Sequence, residues 1–550
     1  MGSLQELGID LDSMTDPKIK QAMVLLFNLI EDLSSQNTTL REENQKLRNE
    51  IALLKGEQGK PDIQGKNQKQ AGDISSEQER REPGKERRKK SSKNEHLEIT
   101  RTEVIQADTT QLPQDAQFKG YETVIVQDLV VRAEVIAFKK AVYYSPSLKK
   151  TFTADLPGGY QGTFGPHVKA LIILLKTVGN MTEPKIAELL TSFSLLISPA
   201  SIDRILTHRK EHFHQEKEEI FQAGLQSSSY QHIDDTSCRV NGENRSTQIV
   251  CNPWYSAYFT REKKDRLTIL EILSGKLTYL FNQETATLLT LLRISPKLQK
   301  KLLAGIPKET VLSKEHITKF LEPYHLNALQ TTRILEAAAI SSYHAQTGQP
   351  IIELLMADDA PQFKHLTKEL ALCWVHDGRH YKKLHPVIAS HREILTSFLT
   401  HYWEFYRKLL AYKAGPTPVL AFSLSEAFDL LFSTHTDYWE LNERIAKTKA
   451  KKAQLLLVLQ HPELPLHNNP AELAARAQVR KRDVSLQTRT PEGTKVQDTF
   501  LTIVETAKKL KVKLYDYIFD RITETYSLPS LARLLLDKSV AQNTALVALP

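Results

Sequence analysis

"LPLHNNPAELAARAQVRKRD", residues 464–483, holds Glu472 one turn into an expected helix, ahead of Arg476, Arg480, Lys481 and Arg482. Two readings compete. In the first, Asn469, Pro470, Ala471 and Glu472 make an Asn-type capping box on a solvated helix, with Pro at its first position. In the second, Glu472 meets carboxylates from elsewhere in the chain and faces a polyanion. Residues 472, 476 and 479–480 share one helical face. The acid would then sit with Arg476 and Arg480, with Lys481 and Arg482 fanned around it to grip phosphates.

Other acids of the right kind exist. In "HIDDT", period-two geometry puts Asp234 on the face of His232 and Asp235 on the face of Ile233. In "LLMADDAPQF", Asp358 and Asp359 stand where an apolar strand runs out. Acids at the ends of two neighbouring strands and one on a helix can meet at a sheet edge. Three such groups can hold two Mg²⁺ (or Mn²⁺) ions about 3.5–4 Å apart, clamping the attacking and leaving oxygens of a phosphodiester. Each acid also has a plain alternative, because Asp before Thr and Ser, or before Ala-Pro, is ordinary turn composition.

The bulk numbers bound the class of protein. The chain has 550 residues, a net charge of +8, 41% hydrophobic and 25% charged residues. That length implies several structural regions, and the charge tilts toward a polyanion. Three cysteines, Cys238, Cys251 and Cys373, with no Cys-x-x-Cys pair, argue against a disulfide framework or zinc finger. The opening "MGSLQELGID" lacks a basic-then-apolar signal pattern, and no apolar run reaches the roughly 20 residues of a membrane span. A cytoplasmic, nucleoid-associated protein with no membrane partner is the expectation. No Gly-x-x-x-x-Gly-Lys-Ser/Thr loop is present for ATP.

Along the chain, Leu26, Ile30, Leu33, Asn37, Leu40, Asn44, Leu47, Ile51 and Leu54 alternate by four and three residues. This predicts a coiled-coil helix over 1–55, with Asn37 and Asn44 at a positions favouring a parallel homodimer. An amphipathic helix packed on its own domain is the alternative. Residues 56–97, ending in "KERRKKSSK", are nearly devoid of large apolar side chains and read as a disordered basic linker.

"YETVIVQDLVVRAEVIAFKKAVYYS" predicts strands in a small β-rich module over 98–155. From 156 to 227, "TEPKIAELL" and "SPASIDRILTHRK" predict a helical (HTH-like) pair that could lay Ser201, Arg204, His208 and Arg209 against DNA. After 228, "YQHIDD", "STQIVCNPWYSAYF" and "RLTILEIL" read as strands, 277–345 as a helical insertion, and the rest to 527 as mostly helical; 528–550 is a tail.

The chain from about 98 to 527 resembles the large transposase of the insertion-sequence-66 family. The matching stretches are "HIDDTSCRVNG", "LCWVHDGRHYKKL", and "HNNPAELAARAQVRKRD" followed by "TFLTIVETAKKLKVKLYDYI". "PGGYQGTFGPHVKALIILL" resembles the segment ahead of that family's helical pair. The resemblance implies a multidomain α+β protein whose residues 228–527 form an RNase H-like α/β catalytic core. It implies a triad of Asp234, Asp358 (with Asp359 the contender) and Glu472, supported by Cys373 and His376. Asp235 stands where that family usually has Glu, and the family's zinc-binding cysteines are missing from 98–155.

The expected activity is metal-dependent strand cleavage and strand transfer on double-stranded DNA, with accessory element-encoded proteins as further partners. Arg379, Lys382 and Lys383 are candidate phosphate contacts. The alternatives are a domesticated, non-catalytic DNA-binding scaffold and a nuclease without strand transfer.

Overall fold

The computed structural model describes residues 16–54, 98–106, 118–306 and 310–547; the linker over 56–97 lies outside them. Its centre is a five-stranded mixed sheet, with α-helices on both faces. Strands β3 (Tyr230–Val240), β4 (Glu243–Cys251) and β5 (Ser256–Arg261) form an antiparallel meander. Strands β8 (Leu354–Ala357) and β9 (Glu369–Leu372) then add in parallel on the other side of β3, giving the order β5-β4-β3-β8-β9. Gln231, His232 and Ile233 are buried, as a strand paired on both edges and covered on both faces requires. Pro253 cannot donate to a ladder, and Asn252 Oδ1 accepts from the Trp254 and Tyr255 amides, which turns the chain between β4 and β5.

One face carries Ile233, Val250, Ala257 and Phe259 against Phe213, Ile220 and Phe221 of the Glu211–Gln226 helix and Phe500 of the Pro491–Lys509 helix. Ile249, Cys251 and Tyr258 point the other way, onto Ala471, Ala474 and Ala475 of the Asn469–Ser485 helix. The small alanines let that helix approach the sheet closely.

Several expectations change. "RLTILEIL" is a helix (Arg266–Ser274), not a strand: Asp265 accepts from the Thr268 amide at 2.9 Å and caps it. A short apolar run suits either state, and the cap decides. Among its described residues the 98–155 stretch holds one hairpin, β1 (Val142–Ser145) with β2 (Lys150–Thr153), and residues 118–141 have no regular structure and largely exposed side chains. The stretch expected as a tail forms the helix Leu531–Val547, with Leu531 and Leu535 fully buried.

Between β5 and β8 lies the expected helical insertion, which also holds a two-stranded pair, β6 (Tyr279–Leu280) with β7 (Val311–Leu312). A second insertion follows β9 and has its own core: Trp374, 1% exposed, is ringed by Tyr402, Phe405, Phe428 and Phe432.

The heptad helix spans Pro17–Leu54. Its lower part packs on this second core: Phe27 meets Ile388, Asn28 bonds the Asp437 carbonyl and the Trp439 amide, and Glu31 accepts from the Val387 and Ile388 amides. Glu31 thereby satisfies donors at the start of the Ala389–Ala414 helix. Above it Leu33, Leu40, Leu47 and Ile51 remain exposed. The helical pair is Glu183–Ser192 and Pro199–Thr207, the second capped by Ser198; Ile186, Leu190, Ile202 and Leu206 join the main core.

Candidate active site

The parallel pairing of β3 with β8 aligns Tyr230, Gln231 and His232 with Leu354, Leu355 and Met356. Continuing that register by two residues brings Asp234 beside Asp358, which stands just past the end of β8; Asp234 itself does not close a strand, because β3 runs on to Val240 along β4. The Asp234 carboxyl is pushed up to about 7, first by burial and further by negative charge at Asp358, Asp235 and Glu472; the Asp235 amide, donating to it at 2.8 Å, works against the shift. Three acids from segments more than a hundred residues apart thus share one electrostatic neighbourhood.

Glu472 is brought there by Asn468. The Asn468 side chain donates to the Ile233 carbonyl at 2.8 Å and pairs through Oδ1 with His232 Nδ1 at 2.8 Å. Its amide donates to Cys373 Sγ at 3.3 Å, and the same sulfur accepts from the His376 amide. Its carbonyl accepts from the Glu472 amide, opening the helix. One buried residue therefore ties together β3, the segment after β9 and the helix that carries Glu472. His232, fully buried, is held neutral, its pKa driven down to about 3 mainly by desolvation.

The N-cap of this helix is Asn468, not Asn469, and makes no side-chain capping bond, so the capping-box reading of Glu472 fails. Its carboxylate is instead gripped by Arg379: Nη1 to Oε1 at 2.9 Å and Nη2 to Oε2 at 3.0 Å. His376 lies within reach of the charges on Asp358 and Glu472, which oppose the fall in its pKa caused by burial. Burial pushes the Cys373 thiol up to about 12, so it acts as a neutral acceptor of two amides.

Neighbouring acids are used differently. Asp235 is held by Gln362 at 2.9 Å, Ser246 at 3.3 Å and Lys264 at 3.4 Å. Asp359 pairs with Lys451 at 2.6 Å and Lys364 at 3.2 Å. Asp358 accepts from the Ala360 amide; neither it nor Asp234 has an ion-pair partner among the described residues.

As the side chains lie, no three His, Cys, Asp or Glu groups among the described residues converge closely enough to ligate one metal. The donor chemistry nevertheless fits a hard divalent cation: carboxylate oxygens only, two of them uncompensated, and the third tied by one half-exposed arginine.

The basic residues divide. Arg204, Arg209, Arg476, Arg480, Lys382 and Lys383 are exposed. Lys481 is not a surface contact: it is 5% exposed, donates to the Lys176 carbonyl at 2.5 Å, and burial brings its pKa down to about 7. It follows Ala471, Ala474 and Gln478 on the inward helical face. Arg482 is fixed to Ser237 of β3. The sequence reading missed Asn468, His232 and Lys451, because their roles exist only once distant segments meet.

Residues 343–496 match the model described as Transposase IS66 family, a span that takes in Asp358, Cys373, His376 and Glu472. A protein of Sinorhizobium fredii, called uncharacterized protein y4jO, is 30% identical over 309 residues, 55% of this chain and 94% of that protein. The chain belongs to the IS66 transposase family. No helix of this family member is long and apolar enough, among its described residues, to cross a membrane.

Proposed function

We propose that this IS66-family chain cleaves DNA strands and transfers them to a target, using an RNase H-like core in which Asp234, Asp358 and Glu472 hold two Mg²⁺ (or Mn²⁺) ions. The observation that carries the reading is that the β3–β8 register sets Asp234 beside Asp358, where burial and the charges of Asp358, Asp235 and Glu472 push the Asp234 carboxyl up to about 7. The strand order, three antiparallel strands continued by two parallel ones, supports it. The bound ions would activate the attacking group and neutralise charge building at phosphorus.

The protein's part is positional. Asn468 and Cys373 fix the start of the Glu472 helix against β3. Arg379 screens Glu472 in the free protein; an arriving phosphate competes for its guanidinium and releases the carboxylate. Arg476, Arg480 and Lys383 grip the flanking backbone, and Arg204 and Arg209 contact DNA from the helical pair. The exposed seam from Leu33 to Ile51 pairs two copies in parallel, so that two ends are processed together.

The test uses a duplex carrying the ends of the genomic element that encodes the chain, with Mg²⁺. Asp234→Ala, Asp358→Ala and Glu472→Ala each abolish cleavage while retaining DNA binding; wild-type cleavage by Glu472→Ala refutes the assignment. A cut end that never joins target DNA identifies a nuclease without strand transfer. The Arg379–Glu472 pair favours one rival, a DNA-binding scaffold that has lost its chemistry, and the absence of cleavage by the wild-type protein would support it.

A further inference from the structure

The β1–β2 hairpin is unlike the rest of the molecule. Its cross-strand pairs are Val142 with Thr153, Tyr143 with Phe152, Tyr144 with Thr151 and Ser145 with Lys150. Seven of these eight residues are exposed and Ser145 is half-buried, with Tyr143 72% accessible. A lone two-stranded ribbon is marginal in water unless something covers it.

Its charge is one-sided. Lys139, Lys140, Lys149 and Lys150 fall within fifteen residues, and no acid occurs between Glu134 and Asp155. The Lys150 ammonium lies 5.4 Å from the Phe152 ring centroid, so charge and aromatic surface occupy the same face. Lys149 sits in the turn with φ 46°, a left-handed conformation, where Ser145 Oγ accepts from the Leu148 amide.

The base of the ribbon is anchored. Phe138 packs edge-on against Tyr160 with centroids 5.1 Å apart. Lys169 on the Pro166–Thr177 helix donates to the Gly159 and Gln161 carbonyls at 2.6 and 2.9 Å. That ammonium lies close enough to Lys210 to help burial lower its pKa, and Lys210 follows the exposed Arg209 of the helical pair. The ribbon therefore springs from beside the basic end of that pair.

We propose that the β1–β2 hairpin, with the segment leading into it, binds DNA: Lys149 and Lys150 of the ribbon and Lys139 and Lys140 just before β1 contact phosphates of duplex DNA, and the Tyr143–Phe152 face lies against the groove wall. A two-stranded ribbon fits the major groove, and a surface with four bases and no acid matches a polyanion better than a protein face of mixed charge. The choice of partner rests on the DNA-processing reading; the chemistry at Asp234 does not enter.

The test is fluorescence anisotropy of full-length protein on a labelled duplex of arbitrary sequence, in 50–200 mM KCl. Replacing Lys139, Lys140, Lys149 and Lys150 together by Ala should weaken binding by roughly tenfold or more and reduce the slope of log K against log salt by about 3–4, near 0.9 for each phosphate no longer neutralised. Replacing all four by Arg should keep the slope. A control removing the equally exposed Lys297, Lys300, Lys301 and Lys314 should leave it nearly unchanged.

Unchanged affinity and slope in the hairpin variant overturns the proposal, as does an equal loss in the control, which would mean bulk charge alone. Intact DNA binding with a reduced oligomeric mass overturns it in favour of a face between copies. Loss of cleavage by Asp358→Ala with normal binding bears on the active site alone, so the two ideas fail separately.

Discussion

Asp358 and Asp359 are adjacent in sequence and meet opposite fates. Asp358 stands at the end of β8 and, among the described residues, accepts from the Ala360 amide alone, in the field of Asp234. Asp359 turns to Lys451 and Lys364; against burial, those partners hold its carboxyl below the usual range. Lys451 also lies 3.6 Å from Asp377, which is 5% exposed and receives Arg444, Thr448 and Tyr402. A few ångströms of fold thus separate acids that are fully answered from acids that are not. Answered charges hold the second core to the sheet; unanswered ones cost stability, and proteins keep such costs where function needs them.

The difference can be broken from either side. The largest effect is expected on the unanswered side: Asp358→Ala should reduce cleavage to background, with the urea midpoint unchanged or raised. On the answered side, Asp377→Ala leaves Arg444 buried without its partner and should cost about 3–5 kcal/mol in urea unfolding. Asn468→Ala removes bonds to both His232 and Ile233 and should cost about 1–3 kcal/mol, with cleavage falling as Glu472 loses its placement. Arg379→Ala should tighten Mn²⁺ binding without DNA by about fivefold at most, the worth of a half-exposed ion pair.

A separate effect concerns Glu216, a buried acid of the Glu211–Gln226 helix. Burial raises its carboxyl to about 7, with Arg521 opposing the shift. Its folded pKa is higher than its unfolded one, so its favourable contribution is full below about 4.5 and lost as pH rises through about 7. The thermal midpoint of the wild type should therefore fall more between pH 5 and pH 8 than that of Glu216→Gln.

Much of this is legible in the sequence. The strands at "YQHIDD" and "STQIV", the heptad helix, the Ser198–Pro199 helix start and Asp358 at the end of an apolar strand all depend on near neighbours in sequence. What is not legible depends on distant ones. The grip of Arg379 on Glu472 spans 93 residues and the bond from Asn468 to Ile233 spans 235. Lys481 reads as a surface base because its four neighbours include two arginines, but its helical phase turns it inward. The aromatic core around Trp374 is invisible in the sequence because its members come from several helices, each of which shows only ordinary amphipathic spacing. "RLTILEIL" misleads because so short an apolar run suits a strand as well as a helix, and the Asp265 cap decides.

The most direct test of the central claim is an Mn²⁺ titration of the full-length protein, followed by electron paramagnetic resonance, alongside Asp234→Asn, Asp358→Asn, Glu472→Gln and Asp359→Asn. The account predicts that the first three lose bound Mn²⁺ and that Asp359→Asn keeps it. Wild-type binding by Asp234→Asn and Asp358→Asn would contradict it.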